Sequence, residues 1–290
     1  MTSRAAFPAL TLRAAALAAC ALLLQACGGG GSDDAGTSAT VSGAVVDGLS
    51  YGRLSTVTIN GTNLLTAGVS LGATGCDGIT LLAGGTTLQQ RFTCTPNKAL
   101  SVRLSAAAGG SEFFTSTLEV PKPQVTLATS LGNVVIELEP AAAPLTVDNF
   151  LAYVNAGFYN GTIFHRVIKD FVVQGGGFTG VTATTLTPQT GARPAIPLET
   201  NRGLSNLRDT IAMARLTAPD TATSEFFFNT VNNAHLDYAS AGAPGYAVFG
   251  RIVSGYAVVD AMNPVATRTV GGFLDVPVTN IGLQLALQTK

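Results

Sequence analysis

Between residues 41 and 121 apolar and polar residues alternate in short runs: VTING, GVSLG, GITLLAGG, TTLQQRFTC, LSVRLSAAAGG and FFTSTLEV. Glycine and asparagine punctuate them. Alternation with period two, bounded by turn formers, predicts about seven short strands. Pro121-Lys122-Pro123 then breaks the pattern. Two prolines around a lysine predict a short, stiff, extended linker and a domain border near Lys122. Beyond it, two apolar runs in VTLATSLGNVVIELEP flank Ser130-Leu131-Gly132, which predicts a hairpin. In APLTVDNFLAYVNAG the period changes. Val147, Phe150, Leu151 and Val154 stand at i, i+3, i+4 and i+7, one face of a helix, and Gly157 stops it. GYAVVDAMNP predicts a second short helix, ended by Asn263-Pro264. The rest reads as strand and loop, with residues 179–197, rich in Thr and Pro, as a surface loop. Periodicity alone therefore yields a β-rich domain with two helices.

Length and composition sharpen this picture. A chain of 290 residues is long enough for two domains. Low charge, many glycines and no Trp fit β-rich globular domains and exclude a coiled coil or a disordered chain. The strand spacing over residues 41–121 suggests an immunoglobulin-like sandwich, although the chain has no Trp to build an antibody-type core. Residues 122–290 form the second domain.

The first 26 residues read as an address rather than as structure. Arg4 and Arg13 make a positive start, and the apolar run from Ala14 to Leu24 is too short to span a bilayer. Leu24-Gln25-Ala26-Cys27 resembles a lipobox, in which the cysteine becomes the lipidated first residue. A second match, Leu17-Ala18-Ala19-Cys20, leaves too short an apolar run after Arg13. Residues 27–40, with GGGGSDDAGTS, read as a flexible tether. Gly28 rather than Asp after the cysteine resembles lipoproteins not retained at the inner membrane. The expectation is a lipid-anchored protein in the cell envelope of a Gram-negative bacterium, at the outer membrane and facing the periplasm. Removing the segment takes Arg4 and Arg13 from 16 basic residues and nothing from 17 acidic ones. An acidic balance offers no basic surface for nucleic acid. Cys76 and Cys94 remain, and an exported chain makes a disulfide the expectation, worth roughly 3 kcal/mol for so short a loop. No metal site is expected, since these cysteines have no histidine partners nearby.

Residues 162–178, TIFHRVIKDFVVQGGGF, carry the chemistry. One guanidinium, Arg166, and one carboxamide, Gln174, stand among Phe164, Val167, Ile168, Phe171, Val172 and Val173. A charge in apolar surroundings costs free energy unless it is paired or used. Gly175, Gly176 and Gly177 follow, where backbone must approach closely or take positive φ. Two readings stay open from these residues: a buried strand with a salt-bridged arginine, or an apolar cleft with a fixed cation on its wall.

Downstream come TIAMAR at 210–215, SEFFFNT at 224–230, HLD at 235–237 and YAVFGRIVSG at 246–255. In this order and spacing the blocks resemble a cyclophilin, a peptidyl-prolyl cis-trans isomerase. The resemblance runs from about Gln124 to about Leu287, and the lead-in GLSNLRDTIAMAR is similar to the bacterial periplasmic branch. It implies an eight-stranded antiparallel barrel capped by two helices, and an enzyme that needs no nucleophile, metal or cofactor. Its partners would be Xaa-Pro segments of unfolded exported proteins. By the same resemblance Arg166 is the catalytic arginine, and Phe171, Phe227 and Leu236 form the proline pocket with Val172 on its rim. Gln174 orients the arginine, and His165 is a neighbour in the cleft. Ala214 and Arg215 offer backbone to the residue before proline.

Several positions depart from the familiar eukaryotic pattern. Glu225 stands where Gln is common, and its carboxylate is expected either to pair with Arg166 or to compete with substrate for it. His235 replaces a Trp, which implies weak cyclosporin binding. Tyr246 replaces a His, as in bacterial relatives. Asp209 stands where Gly is usual; if that position needs positive φ, Asp is among the less costly replacements. A second function stays open beside the enzyme: a module that binds proline-containing segments, or acts as a chaperone, with little turnover.

Overall fold

The computed structural model describes residues 38–290 except 67, 98 and 99. The expected export segment, Cys27 and nearly all of the tether lie outside these residues.

The N-terminal domain has seven strands: β1 (Thr40–Asp47), β2 (Ser55–Thr62), β3 (Val69–Thr74), β4 (Cys76–Leu81), β5 (Gln89–Pro96), β6 (Ser101–Ala108) and β7 (Ser111–Glu119). They form two antiparallel sheets, ordered β1-β2-β5-β4 and β3-β6-β7. Lettered in chain order these read ABED and CFG, the strand order of a constant-type immunoglobulin sandwich. Alternate residues supply a shared core: Val57 and Ile59 from one strand, Phe92 and Cys94 from another, Val102 and Leu104 from the facing sheet. Cys76 and Cys94 form a disulfide with Cα atoms 5.4 Å apart. It joins β4 to β5 within one sheet, unlike the inter-sheet bridge of antibody domains.

The linker is tied to the second domain, and the sandwich also touches that domain directly. Lys122 pairs with Glu139 at 2.7 Å. The buried Tyr51 donates to Asp148 at 2.9 Å, and its carbonyl accepts from Gln288 at 2.9 Å. The sandwich thus leans on the second domain's long helix and last strand.

The second domain begins with β8 (Gln124–Thr129) and β9 (Gly132–Leu138), the expected hairpin, and continues with α1 (Pro144–Asn155). Next come β10 (Thr162–Ile168), β11 (Val172–Gly175), β12 (Phe178–Val181), β13 (Leu186–Pro188), β14 (Thr210–Met213) and β15 (Phe226–Asn229). The chain ends through β16 (Val248–Ser254), α2 (Tyr256–Met262), β17 (Thr267–Val270), β18 (Phe273–Pro277) and β19 (Ile281–Gln288). Eight strands close into a barrel in the order β10-β11-β15-β14-β16-β9-β8-β19.

Helix α1 plugs one end of the barrel. Its buried residues include the four expected, Val147, Phe150, Leu151 and Val154. Phe150 meets Phe226, Phe249 and Tyr159 with ring centroids 5.1–5.6 Å apart. Ala143 has no side chain to cap the helix. The carboxylate of Glu199 does so from a distant loop, accepting from the Thr146 N–H at 2.8 Å and its hydroxyl at 2.9 Å. An anion is favourable there, where N–H groups lack partners. Gly157, at φ +68°, ends the helix; its N–H meets the Val154 carbonyl, and the Phe158 N–H meets that of Tyr153.

Two hairpins stand outside the barrel. The stretch expected as a surface loop holds β12–β13, whose turn is held by Thr182 accepting from the N–H groups of Thr184 and Thr185. After α2, β17 and β18 form the other. Their runs of three to five residues are too short for periodicity to reveal.

Candidate functional site

Strand alternation gives the barrel wall two faces. On β15, Phe226 and Phe228 enter the barrel core, whereas Phe227 points outward. Outside, Phe227 joins Val172, Ala212 and Val248 in a second apolar cluster, against which Phe171, Ala214, Leu236 and Tyr246 pack. On β11, Val173 points inward between the outward Val172 and Gln174.

Strand β10 breaks the rule, and the break makes the site. Its register with β11 shifts between Phe164 and Arg166, a bulge at His165. Phe164 and Val167 still enter the core, but His165 and Arg166 both reach the outer cavity. Neighbours on a regular strand face opposite ways; an extra residue re-aims the side chains around it.

The cavity holds about 450 Å³. Phe171, Val172, Phe227, Leu236 and Tyr246 line its apolar end. Arg166, Gln174, His165 and Glu225 form a polar wall, and Ala214 and Arg215 a rim. Thus all the residues expected from the resemblance converge except His235, which stands behind the wall, stacked on Phe171 at 5.7 Å. The apolar end is braced from outside. The Phe171 carbonyl accepts from Asn233 Nδ2 and the Thr230 N–H, and the Leu236 carbonyl accepts from the Tyr246 N–H. Arg215 lies over the Tyr246 ring at 4.7 Å and donates to the carbonyls of Gly245, Leu216 and Thr217. Asp209, three residues before Ala212, has φ +68°, so its position does require the left-handed conformation.

The polar wall is a relay. Arg166 donates to Gln174 Oε1 at 3.4 Å. Gln174 Nε2 donates to Glu225 Oε2 at 2.7 Å, and His165 Nε2 lies 3.4 Å from the same oxygen. Glu225 therefore does not pair with Arg166. The carboxylate 3.8 Å from Arg166 is that of Asp275. Gly177 makes room for this arrangement, because a Cβ there would strike the Glu225 carboxylate. Burial opposes ionisation of Glu225, but the hydrogen bond and charge of His165 and the bond from Gln174 outweigh it and hold the carboxyl below its usual range. His165 is buried, and its Nδ1 has no hydrogen-bond partner among the described residues.

Sequence reasoning missed one wall. Phe178, Gly272, Phe273 and Leu274 also line the cavity. Phe178 lies in the motif stretch, where the resemblance marks no role for it. The other three come from hairpin β17–β18, whose only signal was GGFLD between short alternating runs.

Residues 124–283 match the family model described as cyclophilin type peptidyl-prolyl cis-trans isomerase/CLD. The match covers more than half of the chain. The chain belongs to the cyclophilin-type peptidyl-prolyl cis-trans isomerases. Among relatives, peptidyl-prolyl cis-trans isomerase A of Dickeya dadantii is 48% identical over 162 residues, 56% of this chain and 82% of its own. Isomerase cyp18 of Streptomyces antibioticus is 48% identical over 166 residues, 56% of this chain and 96% of its own. Isomerase B of Escherichia coli is 46% identical over 156 residues, 53% and 92% of the two chains. A solved cyclophilin-type isomerase from Cryptosporidium parvum, in the presence of the dipeptide Ala-Pro, aligns with 24% identity and a TM-score of 0.48, over 58% of this chain and 99% of its own. The matches with the three bacterial relatives assign this cyclophilin domain to peptidyl-prolyl isomerisation.

Proposed function

We propose that Arg166 catalyses the isomerisation by donating to the prolyl nitrogen while the ring sits against Phe171, Phe227 and Leu236. Rotation about an Xaa-Pro bond crosses a barrier of about 18–20 kcal/mol because amide resonance is lost. In the twisted transition state the nitrogen turns pyramidal and regains a lone pair. A donor aimed at it stabilises the transition state more than the ground state, which is the condition for catalysis. The observation that carries this reading is the bulge at His165, which sets Arg166 beside the apolar pocket with Gln174 bonded to it. Arginine suits the task, being always charged and rich in rigid donors. Val172 borders the ring, and the residue before proline runs along Ala214 and Arg215. His165 and Glu225 act through Gln174, and Tyr246 closes the pocket.

The substrates in this reading are proline-containing segments of exported proteins whose folding waits on slow Xaa-Pro isomers. A lipid on Cys27 holds the enzyme in the cell envelope, and the immunoglobulin-like domain stands between anchor and barrel. Loss of the indole at His235 leaves cyclosporin bound weakly. The test is exchange spectroscopy on a short Xaa-Pro peptide, together with refolding of a protein limited by a proline isomer. Both rates should rise with enzyme concentration. Peptide binding with the exchange left at its uncatalysed rate would make the protein a proline-binding module. Metabolic labelling with a fatty acid, lost in Cys27→Ser, tests the anchor.

A further inference from the structure

The cavity does not end at Arg166. Past it lie Phe178, Phe273 and Leu274, the last two 37% and 63% exposed. We propose that these three residues form a subsite for an apolar side chain on the residue that follows proline, an inference that rests on the placement of proline and its predecessor given above.

Strand order supplies the direction. Across the outer wall run β14, β15, β11 and β10 in turn, and hairpin β17–β18 packs beside β10. The residue before proline lies at the β14 end, along Ala214. Proline covers Phe227 of β15 and Phe171 beside β11. The chain leaving proline then passes Arg166 on β10 and meets the hairpin.

The hairpin is built to hold a shape. Val270 and Val276 are buried with Leu186 beneath it. Phe273 meets Phe178 edge to face at 5.3 Å, and Phe178 in turn meets the His165 ring at 4.6 Å. Gly271, at φ +57°, sits so close to the Thr184 carbonyl that no Cβ would fit. Asp275 has φ +58°, unusual for a residue other than glycine, and its carboxylate stands 3.8 Å from Arg166. The shelf therefore offers two apolar side chains to a passing substrate, with an anion at its foot. A Leu, Met or Phe after proline gains contact there, and an Asp or Glu meets like charge.

Exchange spectroscopy with the full chain tests this on Ala-Ala-Pro-Xaa-Ala peptides, Xaa being Leu, Gly or Glu. The expected kcat/KM is about fivefold higher for Leu than for Gly, a modest ratio for a half-open apolar site, and lowest for Glu. Leu274→Ser, at an exposed position, should cut the Leu-to-Gly ratio to about twofold, and Phe273→Ser with Leu274→Ser should bring it near one. Asp275→Asn should narrow the gap between Gly and Glu. A Leu-to-Gly ratio unchanged by both hairpin variants would overturn the inference. So would a hairpin effect seen only when the Leu is moved to the position before proline. No catalysis with any peptide would instead remove the isomerase reading beneath it.

Discussion

Replacing Glu225 by Ala isolates the relay that holds the arginine. An ionised carboxylate only accepts hydrogen bonds. Glu225 therefore makes Gln174 turn its NH₂ inward and present Oε1 to Arg166, over 2.7 and 3.4 Å respectively. A hydrogen bond to a charged group is worth about 1.5–3 kcal/mol. The Glu225 side chain is 32% exposed, so competition with water reduces this to ~1 kcal/mol. If that free energy serves only to hold Gln174 and Arg166 in place, its loss slows kcat/KM about fivefold. Unfolding by urea should show a loss of ~1 kcal/mol as well. Glu225→Gln keeps an acceptor oxygen and should restore most of the rate. The pH dependence separates the two acceptors. The Glu225 carboxyl is held below its ordinary value, so its ionised form favours the folded, ordered site. That contribution is present above the ordinary Glu value of about 4.3 and is lost as pH falls through the lower, folded-state value. The wild-type rate should fall in that acid window, and Glu225→Gln should lack the inflection. Full activity in Glu225→Ala, or an acid limb that persists in Glu225→Gln, would show that Glu225 does not hold Gln174 and Arg166 in place.

Other outcomes follow from the same structure. Phe171→Ala should raise KM severalfold with a smaller effect on kcat, because the pocket loses a wall while Arg166 keeps its partners; steady-state exchange kinetics separates the two. Cys76→Ser with Cys94→Ser should lower stability of the sandwich by about 3 kcal/mol in denaturant titration, with the isomerase rate unchanged, since the bridge lies within the N-terminal sheet. Glu199→Ala leaves the start of α1 uncapped and should cost ~1–2 kcal/mol, read as a lower melting temperature; Glu199→Gln should recover part of it.

The larger elements were legible because each had a period to read. The face of α1 was visible in Val147, Phe150, Leu151 and Val154, and the first hairpin in Ser130-Leu131-Gly132. The sandwich strands showed in alternation and glycine, but their partners did not, since pairing is a long-range property. Motif resemblance, rather than periodicity, pointed to the barrel and to Arg166, Phe171, Gln174 and Phe227. Three features stayed hidden. The bulge at His165 looks like ordinary strand, because an extra residue leaves no mark on composition. The partner of Arg166 depends on which carboxylate folds beside it, and Asp275, rather than Glu225, does so from 109 positions further along the chain. The hairpin carrying Phe273 and Leu274 was too short to announce itself.

In the proposed mechanism Arg166 acts on the transition state rather than on substrate binding. The measurement that tests it compares Arg166→Ala with wild type for both the isomerisation rate and the affinity for the same Xaa-Pro peptide. Loss of a donor aimed at developing charge should cut kcat about 100- to 1,000-fold, while the peptide dissociation constant changes by less than about fivefold, because the apolar pocket that holds the ring is intact. A variant that keeps its rate, or one whose affinity falls in step with its rate, would rule out a transition-state role for Arg166.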